Sequence, residues 1–197
     1  MGKYERADYQ LQAASLQVER SKLQKFIFPC GLLLVAFLGG CHGGLISSAP
    51  TRAEAYFQVT ETNAINGQVI FSPVGSKVRM IAELKGLSPG PHAFHIHEIG
   101  DCSAADGSKA GPHFNPDKRA HGNPDSGEHH AGDLPQLIAD ANGIARLTAY
   151  LDEIEIAIGE RGVIGRSLVV HADTDNFKTQ PMGNSGVRRA CAVILEQ

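Results

Sequence analysis

The sequence lacks tryptophan, has no excess of positive charge, and contains no apolar run long enough to span a membrane as a helix. Its net charge of −3 excludes the basic footprint that nucleic-acid binding requires. The apolar run at residues 26–40 is short of the roughly 20 residues that a spanning helix needs. No internal repeat, dinucleotide loop or phosphate loop is present. What remains, 42% hydrophobic and 20% charged residues in 197, is typical of one globular domain with an appendage.

The first 45 residues differ from the rest and are typical of an export signal. A polar segment precedes the apolar run, which suits the core of a secretory signal. The run ends in Leu38-Gly39-Gly40-Cys41, which resembles the bacterial lipobox, where cleavage leaves the cysteine as the lipidated N-terminus. An uncleaved anchor helix or ordinary signal cleavage nearby would be alternatives. We predict a lipoprotein signal at 1–40, a tether at 41–53 and a domain at 54–197.

The predicted location is the periplasm or cell envelope, with the protein held on a membrane through Cys41. Residue 42 is histidine rather than the aspartate associated with inner-membrane retention, so the outer membrane is preferred. These compartments are oxidising, so disulfides persist there. With Cys30 removed and Cys41 lipidated, only Cys102 and Cys191 remain, and a disulfide between them is the simplest interpretation. Two buried free thiols are the alternative.

Short alternating segments separated by glycine, proline and asparagine predict an all-β domain. The 22 glycines suit a turn-rich fold. Asn142-Gly143 is a strong hairpin signal. About eight strands at this spacing predict a sandwich or a barrel. The predicted strands are 55–59, 67–71, 77–84, 93–98, 136–139, 144–150, 167–171 and 190–195.

Two connections, residues 99–134 and 172–189, are long for a compact domain, which indicates functional loops. Histidines are concentrated in and near the first: seven of the nine fall between His92 and His130. His95 and His97 point to the same face of a strand, because side chains two residues apart do so. Imidazole sets suit copper and zinc, and an added carboxylate favours zinc. Spacing alone predicts metal binding but leaves the pairing of ligands open.

Six motifs closely resemble those of the copper,zinc superoxide dismutase family, in its order and spacing, from about residue 54 to 197. They are HAFHIHEIGDC, AGPHFNP, HGNP, HHAGDL, VIGRSLVVHAD and GNSGVRRACAVI. The resemblance implies an eight-stranded Greek-key β-barrel (an immunoglobulin-like sandwich) with two long functional loops. It also implies an enzyme with one copper and one zinc ion per subunit. That enzyme converts two superoxide anions and two protons to oxygen and hydrogen peroxide, which here would protect the cell envelope.

The resemblance also implies individual roles for residues of this chain. Catalytic roles fall to Arg188, which attracts and orients the anion, and to His113, which bridges the metals and donates a proton. Asp175 would link His95 to His121, and Cys102 would pair with Cys191. His92 and His129 are left as surface residues. The implied copper ligands are His95, His97, His113 and His171, and the implied zinc ligands are His113, His121, His130 and Asp133.

Some features depart from the eukaryotic members of that family. The segment between Cys102 and His113 is longer, the second loop is shorter and keeps one lysine, Lys178, and Met182 replaces a channel-lining threonine. These departures affect substrate steering and leave open whether the protein is a monomer or a homodimer. The copper donor is not identified by the sequence. The main alternative function is a non-catalytic copper- or zinc-binding module, but such proteins typically lose copper ligands or the arginine, and this chain keeps both.

Overall fold

A computed structural model describes residues 52–197, which fold as antiparallel β-structure. The strands form where apolar side chains alternate, as in β3, where Val78, Met80, Ala82 and Leu84 are buried and their neighbours are more exposed. The one helical element in this range is a 3-10 turn at Ser108–Ala110. The strands are β1 Ala53–Phe57, β2 Asn66–Val74, β3 Lys77–Lys85, β4 Gly90–His92, β5 Phe94–His97, β6 Leu137–Ala139, β7 Ala145–Leu151, β8 Ser167–His171 and β9 Arg188–Glu196.

The strands form a nearly closed barrel. Their order is β4-β6-β7-β3-β2-β1-β9-β8-β5, and every pair is antiparallel. The two end strands, β4 and β5, are consecutive in the chain and separated only by Ala93. Its N–H donates to the Asp173 carbonyl (2.8 Å), and its carbonyl accepts from the His171 N–H (3.0 Å). The predicted Greek-key barrel is therefore confirmed. The predicted strand 93–98 corresponds to β5, and β4 is an additional short strand that was not predicted.

The barrel interior is an apolar core to which all of β1, β2 and β3 contribute. Phe71 and Met80 lie opposite each other on β2 and β3, and both are fully buried. Each large apolar side chain of this kind stabilises the fold by about 1.5–3 kcal/mol. The first long loop also contributes Phe114, Ala131 and Leu134 to this core.

The first long loop runs beside β5 and is fixed to it through the backbone. The Phe114 N–H donates to the Ile96 carbonyl, and the Ile96 N–H donates to the Gly132 carbonyl, both at 2.9 Å. Bridge pairs place His113 opposite His97 and Asp133 opposite His95. The strand thus brings together residues that are up to 38 positions apart in the sequence, 133 minus 95.

A disulfide joins the same loop to β9. Cys102 and Cys191 are bonded, with their Cα atoms 5.5 Å apart, and they are 89 positions apart along the chain. This pairing confirms the sequence prediction. Closing a loop of this length stabilises the fold by about 4–5 kcal/mol in the chain-entropy treatment.

Between residues 52 and 197 no helix has the length and apolar character needed to cross a bilayer. The predicted signal at 1–40 and most of the tether at 41–53, including Cys41, lie outside the described residues.

Candidate metal centre

Two clusters of possible ligands lie side by side, and one residue belongs to both. In each cluster one ligand atom per residue lies within 4.8 Å of all the others, and every member is buried. His95 and His97 come from β5, His171 ends β8, and the remaining members come from the first long loop. The first cluster is His95, His97, His113 and His171; the second is His113, His121, His130 and Asp133.

In the first cluster, hydrogen bonds on the outer side of the rings decide which nitrogen faces inward. A ring nitrogen that donates its proton to an oxygen leaves the other nitrogen as a free lone pair. His97 Nε2 and His171 Nε2 face each other at 3.4 Å as two such lone pairs. The outer contacts are His95 Nε2 to Asp175 Oδ2 (2.7 Å), His97 Nδ1 to Gly111 O (2.9 Å), and His171 Nδ1 to Ser185 Oγ (3.1 Å) and Gly186 O (3.4 Å).

In the second cluster, three imidazoles converge on one carboxylate oxygen. Asp133 Oδ1 lies 2.9 Å from Nδ1 of His113, 3.0 Å from Nδ1 of His121 and 3.4 Å from Nδ1 of His130. The other oxygen, Oδ2, accepts from the backbone N–H groups of Gly122 (3.1 Å) and His130 (2.8 Å). The carboxylate is therefore held in place by the loop backbone while Oδ1 stays directed at the rings.

Four buried ring nitrogens in these clusters have no well-aligned hydrogen-bond partner: His95 Nδ1, His113 Nε2, His121 Nδ1 and His130 Nδ1. The last two lie near Asp133 Oδ1, but not in the alignment that a hydrogen bond needs. Buried polar atoms are almost always paired, because leaving one unpaired costs about 1–3 kcal/mol. Bound cations would satisfy all four. The donor sets fit the metals: four nitrogens suit copper, and three nitrogens with one carboxylate suit zinc.

His113 faces both clusters with its two ring nitrogens. Nδ1 is directed at Asp133 in the second cluster, whereas the unpaired Nε2 belongs on the side of the first. Its ring centroid lies 3.9 Å from that of His95 and 5.4 Å from that of His121. One imidazole can therefore connect two metal ions.

Asp175 joins the clusters from behind. Its Oδ2 accepts from His95 Nε2 at 2.7 Å and its Oδ1 from His121 Nε2 at 2.9 Å. The Phe177 N–H also donates to Oδ1 (2.7 Å). Residue 183 must be glycine here, because its φ is +67° and a Cβ would lie 1.8 Å from Asp175 Oδ1. The predicted link between His95 and His121 is present in this geometry.

Burial keeps the imidazoles of the first cluster neutral. It lowers the pKa of His97 to about 2, of His171 to about 3 and of His113 to about 4. Burial likewise lowers the pKa of His95. Neutral imidazole binds one metal ion through its free nitrogen, so at pH 7 His95, His97 and His171 are ready to do so without losing a proton. His113 would have to lose its remaining ring proton to bind a metal through each of its two nitrogens.

The second cluster is charged. Burial opposes charge on His121, but the adjacent carboxylates of Asp133 and Asp175 outweigh it and raise the pKa of that imidazole to about 9. Burial would also raise the pKa of both carboxyls, yet the hydrogen bonds from the histidines hold each of them below its ordinary value. Without metal, His121 therefore carries a proton at pH 7 that must leave when a cation binds.

Arg188 begins β9, is half-buried, and reaches the edge of the first cluster through a shared carbonyl. Its Nη1 donates to Gly107 O and its Nη2 to Gly111 O, both at 2.6 Å. The Gly111 carbonyl also accepts from His97 Nδ1. Burial lowers the pKa of Arg188, but a guanidinium stays charged at neutral pH. A fixed positive charge thus stands beside the imidazoles.

Both histidines that we predicted to be surface residues lie outside the clusters, but for His92 the prediction of exposure is wrong. His92 is only 4% exposed, and its Nδ1 contacts the carbonyl oxygen of His171 at 2.9 Å. No sequence pattern indicates this contact, because the partner is a backbone atom 79 positions away. His129 is partly exposed, with Nε2 3.5 Å from Glu153 Oε2.

Comparisons with known proteins agree with this geometry. The family described as copper/zinc superoxide dismutase (SODC) matches residues 65–194. A superoxide dismutase [Cu-Zn] of Paramecium bursaria Chlorella virus 1 is 44% identical over 138 residues, 66% of this chain and 72% of the viral protein. An extracellular superoxide dismutase [Cu-Zn] of Drosophila melanogaster is 38% identical over 168 residues, 78% of this chain and 90% of that protein.

A bacterial relative and a solved structure extend the match. The superoxide dismutase [Cu-Zn] of Deinococcus radiodurans is 36% identical over 147 residues, 68% of this chain and 79% of its own length. The crystal structure titled as that of the clock protein EA4 superposes with a TM-score of 0.69 at 38% identity, covering 76% of this chain and 97% of that one. The chain belongs to the copper/zinc superoxide dismutase family.

Proposed function

We propose that the two clusters divide the metals of this superoxide dismutase between them. Copper is held by His95, His97, His113 and His171, and zinc by His113, His121, His130 and Asp133. The observation that carries this proposal is the set of four buried nitrogens without partners, which all belong to these clusters. The geometry also supports Asp175 as the residue that orients one ligand of each metal.

Copper, when bound, supplies the alternating one-electron oxidation and reduction that dismutation requires, and zinc supplies a fixed charge without redox chemistry. The protein supplies the rest. His113 Nε2 is a buried nitrogen that can hold a proton and pass it to the forming peroxide. Asp133 keeps the ring oriented through Nδ1.

Arg188 would attract and orient the substrate. Superoxide is an anion, so a guanidinium at the rim of the copper site raises its local concentration and its rate of arrival. The two carbonyl contacts of Arg188 hold the planar fork in one orientation.

Metal loading followed by an activity assay tests the proposal. We expect the purified protein to take up one copper and one zinc ion per chain, and to remove superoxide far faster than either the metal-free protein or the zinc-only form. Metal content is measured by elemental analysis and activity by the decay of superoxide. A fully loaded sample without activity would instead support a non-catalytic metal-binding module.

Export with a lipid anchor is proposed for the N-terminal segment, residues 1–53. The disulfide between Cys102 and Cys191 supports export, because such bonds are rare in the cytosol. The name of the Drosophila relative, an extracellular enzyme, agrees with it. The small residues before Cys41 support lipoprotein processing, with the periplasm or the outer membrane as the destination.

The Cys41→Ala variant tests the anchor. In a bacterial host fed a radiolabelled fatty acid, we expect the wild-type protein to be labelled and to sediment with membranes. The variant has no thiol to acylate and should lose both the label and the membrane association. Cys30→Ala, which changes the other N-terminal cysteine, serves as the control. Equal labelling of wild type and Cys41→Ala would exclude the lipobox assignment.

A further inference from the structure

The backbone of His121 is held by a single side chain from the second long loop. The His121 N–H donates to Gln180 Oε1 at 2.8 Å, and Gln180 Nε2 donates to the His121 carbonyl at 2.8 Å. A carboxamide has one acceptor and one donor on the same side, so it can pair with both peptide groups of one residue. The two residues are 59 positions apart in the sequence.

No strand or helix includes the residues just before His121, and side chains hold their backbone instead. Asn115 pairs with both backbone groups of Arg119, at 2.8 and 3.0 Å, and the Ala120 N–H donates to Glu128 Oε1 at 3.3 Å. Those contacts stay within the first loop. Among the described residues, Gln180 is the one whose side chain ties the backbone of this segment to the second loop.

The second loop holds the ring of His121 as well. Nε2 donates to Asp175 Oδ1, while Nδ1 stays 3.0 Å from Asp133 Oδ1. A hydrogen bond at Nε2 alone leaves the ring free to move together with its backbone. Fixing the backbone at the same time removes that freedom, so Nδ1 remains directed at the second cluster. His121 is 3% exposed, which limits the water that could replace these contacts.

We propose that Gln180 is a positioning residue for the zinc site, whose carboxamide fixes the backbone of His121 and thereby slows the release of zinc. The inference rests on the proposed role of His121 as a zinc ligand. Residues that orient metal ligands typically change metal affinity by about 10- to 100-fold when they are removed. Gln180 is itself exposed and acts through the backbone, so the lower end of that range applies here.

Three variants test the proposal in the copper- and zinc-loaded protein. Gln180→Ala removes both contacts, whereas Gln180→Glu has the same shape and keeps the acceptor but loses the donor. Gln68→Ala is the matched control, because Gln68 is an exposed glutamine on β2. We measure the rate at which zinc passes to a chromogenic chelator. We also record the visible spectrum of Co²⁺ bound in place of zinc, which reports the geometry of the ligands.

We expect Gln180→Ala to release zinc about tenfold faster than the wild type, with a shifted cobalt spectrum, and Gln68→Ala to match the wild type. Gln180→Glu should also release zinc faster, because a carboxylate cannot donate to the His121 carbonyl. If Gln180→Ala does not fold, the isosteric Gln180→Glu carries the test. Wild-type zinc release and cobalt spectra in the folded variants would overturn the inference, even if their melting temperatures fell. Failure of the wild type itself to bind zinc or cobalt would overturn the ligand assignment instead.

Discussion

Replacing His113 with alanine is expected to reduce superoxide dismutase activity by at least about 100-fold. We expect this to be the largest effect of any single substitution, because a direct metal ligand matters at least as much as the residues that support it. His113 is the one residue that belongs to both clusters. Its loss takes one nitrogen from each donor set and removes the proton carrier. It also deprives Asp133 Oδ1 of its contact at 2.9 Å. We therefore expect copper and zinc to be bound more weakly together, rather than one metal alone.

The control is His129→Ala, which removes another histidine of the same loop. His129 belongs to neither cluster and is partly exposed, so we expect near wild-type activity and metal content. Elemental analysis after dialysis and a superoxide decay assay are performed on both variants. Retention of both metals and of activity by His113→Ala would show that the clusters work independently, and that the proposed bridging role is wrong.

The barrel could be predicted from the sequence because its strands obey a local rule. In β3, alternating apolar residues identify the buried face, and the structure buries the same four side chains. The first strand was placed two residues too late, at 55–59 instead of 53–57. Its inward side chains include the small Ala53 and Ala55, whose apolar signal is weak, whereas the strongly apolar Val59 is 62% exposed in the irregular segment that follows.

Local sequence rules could not predict which residues share a metal site. Spacing placed His95 and His97 on one strand, but it could not pair them with residues from the long loop, because a loop of that length has no periodicity that fixes its path. Only the resemblance to a family supplied the pairing, and both predicted sets are brought together in the structure. Contacts between side chains and the backbone follow from neither the spacing nor the family resemblance. The burial of His92 and the pairing of Gln180 with His121 depend on how distant segments of the chain pack together.

Arg188→Ala is expected to lower the second-order rate of superoxide removal by about tenfold or more, because electrostatic attraction in charged clefts raises association rates by about 10- to 1,000-fold. The Arg188 guanidinium and His97 Nδ1 both donate to the Gly111 carbonyl, so this positive charge is held beside His97. We therefore expect both slower capture of the anion and a weaker dependence of the rate on ionic strength. Arg188→Lys keeps the charge but not the two-pronged contact, so its rate should lie between those of the wild type and the alanine variant.

The neighbouring residue supplies a matched control. Arg189→Ala removes the same charge one position further along β9, and among the described residues the Arg189 side chain forms no ion pair and no hydrogen bond. If overall charge alone steered the substrate, the two alanine variants would lose similar rates. If the position of Arg188 beside His97 matters, Arg189→Ala should stay within about twofold of the wild type. At ordinary salt, the attraction of an exposed charge for the substrate is largely screened beyond about 10 Å. Rates are measured at low and high ionic strength on samples of equal copper content, which separates steering from metal loss. Equal rates for the wild type, Arg188→Ala and Arg189→Ala at low salt would exclude a role for Arg188 in guiding the substrate.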